Sequence, residues 1–135
     1  ILRFSNVYGM YDESDRVVPL FIRRARAGQK LTVFGEEKCL DFTYIDDTVN
    51  GDCLALEKFD AVQGETFNIA YGEGTTIMEL ARVVQELTGK EVGIEVRPSR
   101  IGEVTRYIAE IKKAQTMLGY APTVAFAEGV SKTVA

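Results

Sequence analysis

Short apolar strands alternate with amphipathic helices along nearly the whole chain of 135 residues. The apolar periodicity and the turn residues predict strands at 1–5, 31–34, 40–45, 66–71 and 93–98, and helices at 16–27, 47–59, 77–88, 112–118 and 128–134. This alternation is typical of proteins in which helices connect partly parallel strands. The sequence therefore predicts an α/β fold.

The helix predicted at 77–88 has the clearest pattern. Its apolar residues recur at the spacing of one helical face: Ile77, Leu80, Ala81, Val84 and Leu87. Thr76 and Glu79 have the spacing of a capping box, and Gly89 suits the end of a helix. We therefore expect this helix to pack one face on the core.

Composition and charge exclude several classes of protein. Hydrophobic residues make up 46% of the chain and charged residues 27%, which is typical of a globular protein. The net charge of −4 argues against a nucleic-acid partner. No apolar run approaches the roughly 20 residues that span a bilayer, and no signal segment leads the chain. We expect a cytoplasmic protein with no membrane partner.

Residues for metal or nucleophilic chemistry are scarce. The chain has no histidine and only two cysteines, Cys39 and Cys53, which argues against a zinc site and a disulfide. Asp41, Asp46 and Asp47 could suggest a metal, but the start of a helix at this point favours capping by Asp46 or Asp47. We assign no metal ligand and no catalytic residue.

Two arginines follow the strand at 93–98. Arg97 and Arg100 lie where the chain leaves this strand for a loop. A guanidinium donates two parallel hydrogen bonds, which suits phosphate oxygens. From these residues alone, solvated loop arginines are the simpler interpretation.

Several stretches, taken in order, resemble one enzyme family. They are RFSNVYG (3–9), VVPLFIRRARAGQKLTVFG (17–35), DFTYIDD (41–47), FNIAYG (67–72), RPSRIGEV (97–104), KKAQTMLGYAP (112–122) and EGV (128–130). This order resembles the C-terminal part of the extended short-chain dehydrogenases/reductases, the nucleotide-sugar epimerases and dehydratases. The resemblance implies that residues 1–135 are the C-terminal, nucleotide-sugar-binding portion of an extended Rossmann-fold enzyme.

The resemblance implies roles for residues on the first strands. Asn6 matches an asparagine that touches the substrate diphosphate, and Phe4 matches a position near the nicotinamide of the cofactor. Val17 and Val18 match a segment beside the nucleobase. Thr32, Val33 and Phe34 match the strand whose backbone and aromatic ring hold the base.

The loop after the strand at 93–98 also gains implied roles. Arg100 matches the family's diphosphate-binding arginine, and Glu103 matches an acidic residue that meets a ribose hydroxyl. Tyr107 matches a tyrosine of the sugar pocket. One position departs from the family: Leu40 stands where a second diphosphate-binding arginine is usual. Lys38 is an alternative ligand for the same phosphate, although without the bidentate fit of a guanidinium.

The family resemblance implies an NAD-dependent enzyme that acts on UDP-sugars or other NDP-sugars. Epimerisation of UDP-glucose at C4, by oxidation and re-reduction, is the leading expectation. Dehydration by an NDP-sugar 4,6-dehydratase, decarboxylation of UDP-glucuronate, and a non-catalytic binding or assembly module remain alternatives. The chain contains neither the family's glycine loop nor its Tyr-x-x-x-Lys motif, so we expect no NAD binding and no activity from this chain alone.

The resemblance also bears on the ends of the chain. The first strand begins at residue 1 and the last helix stops at the final residues, so we expect a part of a longer protein whose N-terminal NAD-binding part is absent. The strands near 1–5 and 66–71 would then belong to the Rossmann sheet of that protein. Unpaired strand edges favour association, so we expect this chain to self-associate or to pair these two strands with each other.

Overall fold

The computed structural model describes all 135 residues and has the predicted α/β character. The strands are β1 (Leu2–Phe4), β2 (Asn6–Tyr8), β3 (Leu31–Phe34), β4 (Cys39–Leu40), β5 (Phe42–Tyr44), β6 (Phe67–Ile69), β7 (Thr75–Thr76), β8 (Ile94–Arg97) and β9 (Arg106–Tyr107). The helices are α1 (Val17–Arg26), α2 (Ile45–Glu57), α3 (Phe59–Val62), α4 (Ile77–Thr88), α5 (Lys112–Leu118) and α6 (Phe126–Val134). None of the helices has the length and apolar character needed to cross a bilayer.

The strands pair mostly in parallel. β1 pairs with β6, β2 with β5, and β3 with β8, all in parallel. β4 pairs in parallel with β9 and antiparallel with β7. The strands predicted near 1–5 and 66–71 therefore pair with each other, which is one of the two arrangements expected for them.

Helix α4 forms as its sequence predicts. Glu79 N–H donates to Thr76 Oγ1 at 3.1 Å, and Thr76 N–H donates to Glu79 Oε2 at 2.7 Å, so the capping box is complete. Gly89 ends the helix with φ 63°, a left-handed conformation that glycine adopts without strain. The predicted face is buried at Ile77, Leu80, Ala81 and Val84, whereas Leu87, at its C-terminal end, is 37% exposed.

Two apolar clusters fill the interior. The larger one joins α1, β3, β5, α4 and α6, and it includes Phe21, Leu31 and Leu80. The smaller one packs β6 against α5 and includes Phe67 and Leu118. The larger cluster fixes α1 beside β3, and these two elements form much of the candidate site.

The strand predicted at 40–45 is divided in two by Asp41, which is fully buried. Its carboxylate accepts N–H groups from Tyr71 at 3.1 Å, Gly72 at 3.0 Å and Ala109 at 3.2 Å. Burial raises the pKa of Asp41, although these N–H groups act in the opposite direction. Asp41 therefore joins three segments of the chain.

The prediction that Asp46 or Asp47 caps α2 was wrong. The helix begins at Ile45, two residues earlier than expected, and neither carboxylate bonds to its N-terminal N–H groups. Asp47 is buried and accepts the N–H groups of Thr123 at 2.9 Å and Val124 at 3.0 Å. Its partners come from a distant loop, which the local sequence does not reveal.

Candidate functional site

A cleft of about 300 Å³ lies between α1, β3, β4 and the loop after β8. Helix α1 lines it with residues on one helical face, namely Val17, Leu20, Phe21 and Arg24. The remaining lining residues are Asp15, Thr32, Phe34, Lys38, Leu40, Ile77, Arg100 and Glu103. Both charged and apolar side chains therefore face the same space.

The cleft brings together Val17, Thr32, Phe34, Arg100 and Glu103, which the sequence places in the site. Alternation along β3 explains why Thr32 and Phe34 reach the cleft, since successive side chains of a strand point to opposite faces.

Val33, also assigned to the site, points the other way. Its side chain is fully buried in the larger apolar cluster. Only the backbone of Val33 is therefore left for a ligand in the cleft.

Arg100, Phe34, Glu103 and Lys38 form a connected group. The guanidinium carbon of Arg100 lies 4.1 Å from the centroid of the Phe34 ring. Glu103 lies between two cations: Lys38 Nζ donates to its Oε2 at 2.9 Å, and Arg100 Nη1 lies 3.7 Å from its Oε1. The hydrogen bond from Lys38, with the charges of Lys38 and Arg100, lowers the pKa of Glu103.

Leu40, which replaces the second arginine usual in the family, and nearby Lys38 both line the cleft. Leu40 is half-buried, lines the cleft and packs partly on the larger apolar cluster. Lys38 lines the cleft with only 18% of its side chain exposed. Lys38 is thus a cation beside Arg100, and Leu40 leaves that part of the wall apolar.

A second, smaller cavity of about 130 Å³ adjoins the cleft, since Val17 lines both. Asn6 and Val18 line this cavity, although only 2% of Val18 is exposed. Asn6 Nδ2 donates to the backbone oxygen of Asp41 at 2.9 Å. Asn6 therefore lies beside the cleft that contains Arg100, not in its wall.

Phe4 and Tyr107 line neither cavity. Phe4 is 47% exposed on β1, and Tyr107 is 43% exposed on β9, where it is in register with Leu40. Neither residue is brought together with the group around Arg100.

Sequence reasoning missed Asp15, Leu20, Phe21, Arg24 and Ile77 in the wall of the cleft. For the helix, a usable pattern was present. Once Val17 is assigned to the site, the 3.6-residue period places positions 20, 21 and 24 on the same face. Ile77 reaches the cleft only through the packing of α4, which no local pattern indicates.

The residues of this chain do not fit a dinucleotide cofactor. No βα junction has the glycine spacing that lets a backbone approach a pyrophosphate. Phe4, the one residue assigned to a cofactor, lies on an exposed strand outside both cavities.

Comparisons with known proteins agree on one family. The model of the NAD dependent epimerase/dehydratase family matches residues 1–70. The uncharacterized UDP-glucose epimerase YtcB of Bacillus subtilis is 30% identical over 136 residues, covering 100% of this chain and 43% of its own length. A dTDP-glucose 4,6-dehydratase of Actinoplanes is 32% identical over 137 residues, and the match covers 100% of this chain and 42% of the dehydratase.

A solved structure is similar over nearly the whole chain. It is the UDP-glucuronic acid 4-epimerase of Bacillus cereus in complex with UDP-glucuronic acid and NAD, 33% identical with a TM-score of 0.92. The match covers 99% of this chain and 43% of that one. The chain thus spans about two fifths of the length of these relatives, and it belongs to the NAD-dependent epimerase/dehydratase family.

Proposed function

We propose that this chain is the nucleotide-sugar-binding portion of an NAD-dependent nucleotide-sugar epimerase similar to UDP-glucose 4-epimerase. The observation that carries the proposal is the packing of Arg100 on Phe34 inside a cleft that also contains Lys38 and Glu103. These groups suit the parts of a nucleoside diphosphate: the aromatic ring suits the base, the two cations suit the diphosphate, and the carboxylate suits a ribose hydroxyl. The family membership supports the same ligand class.

Each part of the ligand has a suitable partner in the cleft. Arg100 would donate charged hydrogen bonds to the diphosphate, with Lys38 as a second positive charge. The base would lie between the cleft face of α1, which begins at Val17, and the backbone and side chains of β3, and Glu103 would accept a ribose hydroxyl. Asn6 and Val18, in the adjoining cavity, would contact the part of the ligand beyond the cleft.

For the longer protein we propose one reaction. The sugar would be oxidised at C4 and then re-reduced, with NAD held by residues outside this chain. Dehydration by a 4,6-dehydratase and decarboxylation of UDP-glucuronate need the same nucleotide site, so they are the enzymatic alternatives. A binding module without catalysis is favoured by one observation, which is Leu40 in place of the second arginine.

The reading frame upstream of Ile1 distinguishes an enzyme from a binding module. An in-frame Gly-x-x-Gly-x-x-Gly and a Tyr-x-x-x-Lys would support the enzyme. For this chain alone we expect no saturable binding of NAD, and micromolar binding in a calorimetric titration would contradict that expectation.

We also propose that β1 and β6 belong to the Rossmann sheet of the longer protein. Parallel sheets are normally covered on both faces, yet the β1–β6 pair leaves Ile1 80% and Phe4 47% exposed. The chain alone should therefore self-associate through this pair. Light scattering over a range of concentrations tests this, and a monomer at high concentration with fast amide exchange across 2–4 would contradict it.

The nucleotide site is tested by calorimetric titration of this chain with UDP-glucose. Arg100→Ala should weaken binding by about 1.5–3 kcal/mol, the usual contribution of a hydrogen bond to a charged group. Arg97→Ala is the matched control, because Arg97 is an exposed arginine nearby that pairs only with Glu95 and does not line the cleft. Absence of UDP-glucose binding, or equal weakening by both substitutions, would contradict the proposal.

A further inference from the structure

Arg24 is the one charged side chain of the cleft that has no ionic partner. Lys38 and Arg100 both pair with Glu103, and Asp15 pairs with Arg23 at 2.9 Å. Arg24 is half-buried on the cleft face of α1, and its guanidinium makes no hydrogen bond or salt bridge within the protein. Its donors are therefore free for a ligand.

The position of Arg24 separates it from the group around Arg100. Only residues 27–30 connect α1 to β3, and the two elements are in contact. Because so short a connection must turn the chain back, we infer that the two elements run in roughly opposite directions. Arg24 lies near the end of α1, about 10 Å along the helix from Val17, and therefore toward the Thr32 end of β3. Arg100 packs on Phe34, at the other end of that strand. The cleft thus has a cation with no partner at the end remote from Lys38 and Arg100.

We propose that Arg24 contacts the edge of the nucleobase and selects bases with a carbonyl oxygen at C4 of a pyrimidine or C6 of a purine, where cytosine and adenine carry an amino group. This inference rests on the proposed nucleotide site. A nucleoside diphosphate bound with its phosphates at Arg100 has its base at the remote end of the ligand, where Arg24 lies. Arg24 is therefore a specificity-determining residue for the base.

The selectivity follows from the chemistry of the guanidinium, which has five N–H donors and no acceptor. Uracil, thymine and guanine present a carbonyl oxygen where cytosine and adenine present an amino group. An amino group facing Arg24 would place donor against donor and leave both without partners. The cleft should therefore prefer UDP to CDP, two ligands that differ only at this substituent and its neighbouring ring nitrogen.

The experiment is a calorimetric titration of this chain with UDP and with CDP. The wild-type chain should bind UDP about tenfold or more tightly than CDP, the usual discrimination by a good arginine contact to a base. In Arg24→Met the ratio of the two dissociation constants should fall to about one, mainly through weaker UDP binding. Arg26→Met removes the same charge from α1 outside the cleft, and it should keep the wild-type ratio.

Each other outcome overturns the inference. An unchanged ratio in Arg24→Met with UDP still bound would overturn the role of Arg24 and leave the nucleotide site standing. Equal weakening of UDP and CDP would show a contact to phosphate instead of to the base. Failure of the wild-type chain to bind either ligand would overturn both this inference and the proposed function. Should Arg24→Met not fold, Arg24→Gln gives the answer, because the glutamine amide accepts as well as donates hydrogen bonds and can pair with either base, so the ratio should still fall.

Discussion

The guanidinium carbon of Arg100 lies 4.1 Å from the centroid of the Phe34 ring, within the range of a cation–π contact. The side chain of Arg100 is 62% exposed, so without this contact it would sample many rotamers in water. The ring and Glu103 together restrict it before a ligand arrives. Arg100 also covers one face of Phe34, so a base that stacks on this ring must use another face or displace the guanidinium.

Phe34→Leu tests whether the ring prepares Arg100 for binding. The change removes the cation–π contact, which contributes about 0.5–1 kcal/mol at an exposed site. UDP-glucose affinity measured by calorimetry should fall about two- to fivefold. Phe59→Leu is the control, since Phe59 is 59% exposed and lies outside the cleft. An unchanged affinity in Phe34→Leu would show that the ring neither orders Arg100 nor contacts the ligand.

Asp41→Asn tests the buried carboxylate that joins three segments. Asp41 accepts N–H groups from Tyr71, Gly72 and Ala109 through two oxygens. An asparagine has one oxygen and would turn its own N–H₂ toward at least one of these donors. Leaving a buried donor unpaired costs about 1–3 kcal/mol. The free energy of unfolding, measured by urea denaturation, should therefore fall by about 1–3 kcal/mol.

The control for Asp41 is Asp60→Asn, which makes the same chemical change at an exposed residue. We expect it to change the free energy of unfolding by less than about 0.5 kcal/mol. Comparable effects of the two substitutions would mean that the hydrogen bonds of Asp41 contribute little.

The contrast between α4 and Asp41 shows what local sequence predicts here. Helix α4 has a capping box, an apolar face and a C-terminal glycine, all within a few residues of one another, and the sequence predicts its bounds. Asp41 bonds to residues about 30 and 68 positions away. No local pattern specifies such partners, so the division of the strand at 40–45 was missed.

The candidate site likewise contains residues that the sequence indicates and one that only tertiary packing reveals. Alternation along β3 and the family resemblance together indicate Thr32, Phe34 and Arg100, which the structure brings to one cleft. Arg24 was missed because an arginine in a predicted helix is usually solvated, although the helical period places it on the same face as Val17 and Phe21. Only the packing of α1 on β3 makes that face the wall of a cleft.

Glu79→Gln tests the pH dependence of the capping box. Hydrogen bonds from the backbone N–H and the hydroxyl of Thr76 lower the pKa of Glu79 in the folded chain. The resulting stabilisation is present above the pKa of the unfolded state and is lost as the pH falls through the folded value. The wild-type chain should therefore exceed Glu79→Gln in stability by about 0.3–1 kcal/mol at pH 7, and the difference should shrink below about pH 4.

Urea denaturation at pH 7 and pH 3 measures this difference. Glu86→Gln is the matched control, since it removes the same charge from the last turn of α4, where no capping box exists. We expect no loss of stability at pH 7 from that change. A difference between wild type and Glu79→Gln that stays constant with pH would contradict the role of the Glu79 carboxylate.

Leu40→Arg tests whether the cleft has lost a phosphate ligand. Leu40 lines the cleft beside Lys38 and Arg100 but also packs partly on the larger apolar cluster. An arginine directed into the cleft would give the diphosphate a second guanidinium and tighten UDP-glucose binding by about 1–3 kcal/mol. Because Leu40 is only half-buried, the melting temperature should fall by no more than about 5 °C, roughly 1 kcal/mol.

Leu40→Met is the control, because it alters the packing of this side chain without adding a charge. It should leave both the affinity and the melting temperature nearly unchanged. Tighter binding in Leu40→Arg alone would show that the wall at this position faces the phosphates. A large fall in melting temperature without tighter binding would show the opposite, that residue 40 belongs to the core, since an arginine forced among apolar side chains loses its hydration without gaining a partner.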